Sequence, residues 1–485
     1  MTHDSLNPIY CCQCLVTAAV SINMIGYGCG FGFPGILLPQ LELPGSLINV
    51  SKNQESWLAS VSSIPMVFGN FLVPVVMSRA GRKVALYAVT LILTLGWFVV
   101  IIATSYEMLL LGMMTQGFSF GMFMPLRSVY IGECSSPRYR GGFLTSSVLA
   151  QIFGILFVHF TGSLISYQLT ALCSISFALI SIILTVYSPE SPSWLATKGQ
   201  YERCRENFTW LRGEDEMPEL EKMIETVNLL ETQESTRSTF REMIAVVKKK
   251  EFFKPVLLLF ALYIMLSCGG APVMGAYSVT ILELLMPKAN ANFWMVALDC
   301  QRLLFTGAAI FVVNKIKRRP MLFFIGALCA GSQLLMGAYL FAKNNDYLPF
   351  DSLWIPGVLI SLQMLSISMG MQPLPAVIAG EVCPLQHRSL AGGIGLTALS
   401  VSAFIVLKTF PGLISVVGLE GTLAVYAGVI AACLAVAWVL LPETSGRTLQ
   451  QIEEHFRGTT LMNPETDEEK PLTYAAQPVY FSIQK

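Results

Sequence analysis

Charge is what this sequence has least of: Asp, Glu, Lys and Arg make up 13% of its 485 residues, against roughly 25% in a soluble globular domain. That shortage excludes a water-soluble globular fold, because too little polar surface exists to cover a chain that is 54% hydrophobic. Histidine is scarcer still. His3, His159, His387 and His455 are scattered along the chain with no ligand or catalytic spacing, which argues against a metal site, a resident cofactor or an enzyme. The formal net charge is zero, and no basic tract or phosphate-binding motif suggests nucleic acid or nucleotide as a partner.

What the sequence has instead is long apolar runs, such as 85–104, 165–187 and 421–441, each near the roughly 20 residues that cross a bilayer core. Spanning helices are expected at 15–38, 56–78, 85–104, 108–131, 143–162, 165–187, 255–282, 291–314, 321–342, 353–378, 390–417 and 421–441. No charged segment precedes the first span, which is too long for a signal peptide, so no cleavable leader is expected. With both termini cytosolic, only Lys52, Lys288 and Lys343 fall outside, while basic clusters such as Arg79, Arg82 and Lys83, or Lys315 to Arg319, recur at every second loop. That is the positive-inside pattern for an even number of spans. A multi-pass protein of the plasma membrane is expected, with the lipid bilayer as its surroundings and its oligomeric state open.

The 12 cysteines lie in spans, in cytosolic loops or, as Cys11, Cys12 and Cys14, just before the first span. No disulfide framework is therefore available outside. The three N-terminal thiols are either free or palmitoylated. Asn49 opens an Asn-Val-Ser sequon in the first outer loop and is the expected glycan site, whereas the sequon at Asn207 faces the cytosol and stays bare.

One long polar stretch, 188–254, separates six spans from six. The organisation is thus a cytosolic N-terminus at 1–14, a six-helix half at 15–187, a helical linker at 188–254, a second half at 255–441 and a cytosolic tail at 442–485. Within the linker, helical patterning covers 201–212, 218–230 and 240–250. Paired signatures tie the halves together. Pro189-Glu190 follows the sixth span as Pro442-Glu443 follows the twelfth. Glu133 precedes Arg140 by the same seven residues that separate Glu381 from Arg388, and basic clusters end the second and eighth spans. Parallel repeats of this kind are a transporter architecture, with the solute held between halves near the midplane. Opposite charges at helix ends suit a reversible cytosolic closure, since each exposed pair contributes only about 0–1 kcal/mol and biases a state without freezing it. The expected inner gate is Arg79, Arg82, Glu133, Arg140, Glu190, Glu381, Arg388, Glu443 and Arg447; the alternative is that they are juxtamembrane anchors.

On these motifs, and on Pro-Glu-Ser-Pro-Ser-Trp-Leu at 189–195, Pro-Glu-Thr-Ser-Gly-Arg-Thr-Leu at 442–449, Tyr130-Ile131-Gly132-Glu133 with Arg140-Gly141, and Phe404-Ile405-Val406 with Lys408-Thr409-Phe410-Pro411, the chain resembles the sugar porter branch of the major facilitator superfamily. It is most similar to the arthropod facilitated trehalose transporter-like members. The resemblance implies an all-α membrane protein of about twelve transmembrane helices in two six-helix halves, a facilitative secondary transporter of a small organic solute. The likeness covers nearly the whole sequence, but the positions that implied sugar contact depart from it. The seventh-span Gln-Gln pair and Asn are replaced by Leu266, Ser267 and Pro272, the fifth-span Gln by Val148, the tenth-span Trp by Ala376 and the eleventh-span Asn-Trp by Leu399-Ser400. Met113 stands for the fourth-span Arg and Ser78 for the acid before Arg79.

Polar residues within spans are functional by default. Ser267, Tyr277, Asp299, Arg302, Ser368, Gln372 and Ser400 are the candidate solute contacts, with Gln151 and Gln301 beside them. Asp299 and Arg302, three apart, are expected to neutralise each other on one helical turn. Arg127, His159 and Lys408 read more simply as packing or snorkelling residues. Three functions stay open: a facilitative carrier of a sugar or sugar-like molecule, a carrier of a less polar metabolite, and a non-transporting sensor on a transporter fold.

Overall fold

A computed structural model describes residues 8–46, 48–214, 216–233, 250–313, 315–347, 353–383, 388–444, 451–452 and 455–456. The regular elements among them are helical throughout. The first half comprises α1 (Pro8–Leu41), α2 (Lys52–Ser60), α3 (Ser63–Ala80), α4 (Arg82–Ile101), α5 (Tyr106–Cys134), α6 (Pro137–Gly162) and α7 (Tyr167–Tyr187). Three short helices follow, α8 (Pro192–Thr197), α9 (Tyr201–Arg212) and α10 (Met217–Gln233). The second half runs α11 (Lys250–Cys268), α12 (Ala271–Ala276), α13 (Ser278–Leu285), α14 (Ala291–Val313), α15 (Arg318–Asn344), α16 (Trp354–Ser366), α17 (Pro373–Val382) and α18 (Arg388–Leu440). The first two linker helices meet the expected patterning; the third, at 240–250, falls mostly outside the described residues.

Among the described residues, ten helical stretches are long and apolar enough to cross a membrane. The longest contains Gly418 at φ 72°, a non-helical residue that divides α18 into two rods. With that break, and with the 23-residue α14, the chain accommodates the twelve expected spans.

Each span packs one face and shows apolar side chains on the other. In α4, Leu86, Val89, Leu93 and Trp97 are fully buried, while Leu91, Leu95 and Phe98 are about half exposed. Both faces are hydrophobic, as a helix against lipid requires. Helices approach most closely where glycines remove side chains. A Cβ on Gly28 of α1 would lie 2.1 Å from the Gln151 carbonyl of α6, and one on Gly154 of α6 would lie 2.2 Å from the Ile25 carbonyl of α1. Gly117 and Gly121 of α5 sit equally close to the backbone at Ser62 and Met66.

Two spans expected to be continuous are broken. The seventh divides at Gly269-Gly270, where Gly270 has φ 105° and Pro272, in the first turn of the next helix, has no N–H to donate. The carbonyls freed by the break accept from buried amides: Gln333 Nε2 reaches Cys268 O at 3.0 Å, and Gln363 Nε2 reaches Gly269 O at 2.9 Å. Side chains of neighbouring helices thus replace the missing helical bonds, which hydrocarbon cannot do. The tenth span contains a π turn, Ile367–Met371, closed by Gln372 N donating to Ile367 O at 3.0 Å. Such bulges re-aim side chains at functional sites.

Candidate functional site

A cavity of about 1680 Å³ lies between the halves. Its walls run from Tyr27 and Gln116 of the first half and Arg302 and Gln372 of the second down to Lys222 and Thr226 of α10, so it opens on the linker side.

The opposite end is sealed by contacts between halves. Lys408 Nζ donates to Asn53 Oδ1 at 2.9 Å and to Ser56 Oγ at 2.7 Å, and it lies 4.3 Å from the Trp57 ring centroid. Deeper, His159 Nδ1 is 2.5 Å from Asp299 Oδ2, while its Nε2 faces the carbonyls of Gly32 at 3.1 Å and Gly275 at 3.4 Å. One imidazole therefore ties α6 and α1 to α14 and α12. Both His159 and Lys408 do more than the packing or snorkelling role their sequence context suggests.

On the linker side each half carries its own clasp. Arg82 holds Glu133 in a bidentate pair, both N–H···O distances being 2.8 Å, and Ser191 Oγ donates to the same carboxylate at 2.5 Å. Glu190 accepts the backbone N–H groups of Arg82, Lys83 and Ser191 at 2.8, 3.1 and 2.9 Å. Burial pushes the Glu190 carboxyl above the usual carboxylate range, against the pull of these donors on its charged form. The second half repeats the design. Arg318 Nε meets Glu381 at 3.4 Å, Thr444 Oγ1 donates to that carboxylate at 2.6 Å, and Glu443 accepts the N–H groups of Arg318 and Arg319 at 3.1 and 3.3 Å. Arg318, absent from the gate set expected from sequence, occupies the place of Arg82; the aligned Gly81-Arg82-Lys83 and Lys317-Arg318-Arg319 triplets were its signal.

Arg140 is not paired with Glu133. It donates to Ser135 O at 3.5 Å and its Nε is buried without a partner among the described residues. Arg79 is exposed. The side chains of Arg388 and Arg447 lie outside the described residues. The described ion pairs here join residues within a half, as suits a cavity open on this side.

The apolar replacements do face the solute space: Val148, Leu266, Pro272, Ala376 and Leu399 all line it, as does Met113. Of the expected polar contacts, Gln151, Arg302, Gln372 and Ser400 line it too. Others are spent elsewhere. Ser267 bonds Ser402 at 2.8 Å, Tyr277 donates to Leu407 O at 3.2 Å, Ser368 donates to Met364 O at 2.8 Å and Gln301 donates to Ser361 O at 2.7 Å. The expected neutralisation of Asp299 by Arg302 is not made. Asp299 turns to His159, and Arg302 Nη2 donates to Gln372 Oε1 at 3.0 Å. Three residues along a helix still point about 60° apart, so the short carboxylate reaches the neighbouring half while the long guanidinium reaches the cavity.

Sequence reasoning missed Asn70, Gln116 and Thr306, which line the cavity and carry buried polar atoms without partners among the described residues. Their signal was polarity inside apolar runs, a criterion that selected Gln151 in the first half and Asp299 and Arg302 in the second but passed over these three.

The profile of the sugar (and other) transporter family matches residues 13–456. The chain belongs to that family. It is a multi-pass membrane transporter, not an enzyme. A facilitated trehalose transporter of Apis mellifera ligustica is 24% identical over 455 residues, covering 93% of this chain and 89% of the relative. One from Polypedilum vanderplanki is 25% identical over 476 residues, covering 96% and 93%. Among solved structures, the inward open conformation of the xylose transporter XylE from E. coli superposes with a TM-score of 0.72 at 16% identity, covering 91% of this chain and 99% of that one. The fold is thus that of a major facilitator.

Proposed function

We propose that the protein is a facilitative carrier of a sugar or sugar-like solute, working by alternating access in the plasma membrane with both termini cytosolic. The observation that carries this reading is the cavity walled by both halves, open on the linker side and sealed at the far end by Lys408 and the His159–Asp299 pair. An access path open to one side only is what a carrier needs and what a channel lacks. Names of the relatives support sugar as the solute class.

In this reading the two clasps hold the helix ends of each half as rigid units. Arg79, Arg82, Glu133, Arg140, Glu190, Glu381, Arg388, Glu443 and Arg447 form the inner gate, with Arg140 and Arg388 meeting the opposite half when it closes. Gln151, Arg302, Gln372 and Ser400 contact the solute, helped by Asn70 and Gln116. Uptake of radiolabelled sugars, sugar acids and polyols into proteoliposomes tests the reading. Saturable uptake with accelerated exchange from preloaded vesicles is expected; no uptake of any member of the panel would sink it.

A further inference from the structure

Arg302 is 4% exposed and lines the cavity, with a neutral amide, Gln372, as its hydrogen-bonded partner and its Nε unpartnered among the described residues. A buried guanidinium without a carboxylate is costly and persists only where something else supplies negative charge. The nearby carboxylate is already engaged. Nε2 of His159 faces two carbonyls and donates, while Nδ1 and the Asp299 carboxylate share one proton across 2.5 Å, so the pair is neutral as a whole wherever that proton sits. Asp299 is thereby neutralised within its own pair, and Arg302, which Asp299 reaches only through space, has no carboxylate hydrogen-bonded to it among the described residues. A second guanidinium, the half-buried Arg127, lines the same cavity with Ser147 as its hydrogen-bonded partner at 3.1 Å and a buried Nε without a partner among the described residues. The amide Nε2 of Gln116 adds another unpartnered donor. At the mouth, Glu133 is held by Arg82, and Glu219 pairs with Arg212 at 3.0 Å, so neither is available to the deep guanidinium groups. Two guanidinium groups with no carboxylate bonded to them among the described residues, set among neutral amides such as Asn70 and Gln116 and the apolar Val148, Leu266 and Ala376, call for a ligand that brings an oxyanion.

We infer that the solute is an organic monoanion, a sugar-like carboxylate whose oxyanion is received by Arg302 and Gln372. This rests on the carrier reading above and narrows its substrate class. Glucuronate and glucose are suitable probes, since they share a ring and differ in a C6 carboxylate against a hydroxymethyl group. In proteoliposomes containing the full chain, kcat/KM for glucuronate should exceed that for glucose roughly tenfold or more, the scale of a charge-assisted hydrogen bond in a buried site. Arg302→Gln should remove that preference, and Arg302→Lys should keep part of it. Competition on the wild type needs no variant: excess unlabelled glucuronate should suppress labelled uptake where equal glucose does not. Glucose uptake equal to or above that of glucuronate, or glucuronate uptake untouched by Arg302→Gln in a monodisperse variant, overturns the anion inference and leaves the carrier reading standing. Uptake of neither probe nor any other panel member overturns both.

Discussion

At the scale of single residues, the His159–Asp299 pair has the clearest thermodynamic signature. Removing one partner of a buried ion pair costs about 3–5 kcal/mol because the other is left charged and unpaired, whereas replacing both by apolar groups costs far less. His159→Leu should therefore lower the unfolding temperature more than His159→Leu combined with Asp299→Leu. Thermal unfolding of the reconstituted variants checks this, and simple additivity of the two losses would refute the pairing. Asn49 lies exposed between α1 and α2, while Asn207 Nδ2 is docked onto Glu190 O at 3.0 Å in the linker. A glycosidase shift should disappear in Asn49→Gln and persist in Asn207→Gln; persistence in the former would reverse the topology.

At the scale of elements, the glycine contacts decide which helices can touch. Gly28 and Gly154 face each other's helices at distances no Cβ can occupy, and interiors packed to crystal density transmit such overlaps to the backbone. Gly154→Leu should abolish recovery of monodisperse protein in fluorescence size-exclusion chromatography. Gly428→Ala, whose added Cβ meets nothing within 4 Å, should leave it intact; equal recovery of the two would remove close packing as the reason. The broken seventh span belongs to this scale as well. Gly269, Gly270 and Pro272 in sequence mark a weak helix, but the buried amides of Gln333 and Gln363 that let it survive come from α15 and α16, far along the chain.

At the scale of the molecule, two predictions follow from how the halves meet. Arg140→Ala and Arg388→Ala should slow uptake several-fold with unchanged folding, because the charges act on closure and each exposed pair is individually weak. Wild-type rates for both at matched reconstitution would remove the gate. Glucose and trehalose should be transported feebly, since each hydroxyl buried against Val148, Leu266 or Ala376 without a partner costs about 1–3 kcal/mol. Restoring polarity with Val148→Gln, Leu266→Gln and Pro272→Asn together should raise sugar uptake, although Pro272 also sits in the first turn of α12 and its loss loosens the break. Robust saturable glucose uptake by the unaltered protein would show that serines and backbone groups suffice.

The sequence by itself determined the membrane class and the duplicated halves, while the apolar replacements at Val148, Leu266 and Ala376 were legible only through the family resemblance and were placed on the solute wall by the structure. The first two follow from run length and repeated spacing, which can be read along the chain without knowing how it packs. Orientation was likewise read from the order of charged loops, an expectation for glycan mapping to check. Which charge meets which was decided only by tertiary structure. Asp299 and Arg302 are neighbours on a helix, yet a short side chain and a long one leaving the same turn reach different helices, and the partners that settle their roles, His159 and Gln372, lie 140 and 70 residues away. The clasps are partly legible for the same reason: their parts recur in each half, but Glu133 is seven residues from Arg140 in sequence and bonds instead to Arg82, 51 residues earlier. Spacing along a helix constrains direction, and only the packing of helices, within a half for Arg82 and Arg302 and between halves for Asp299, selects the partner.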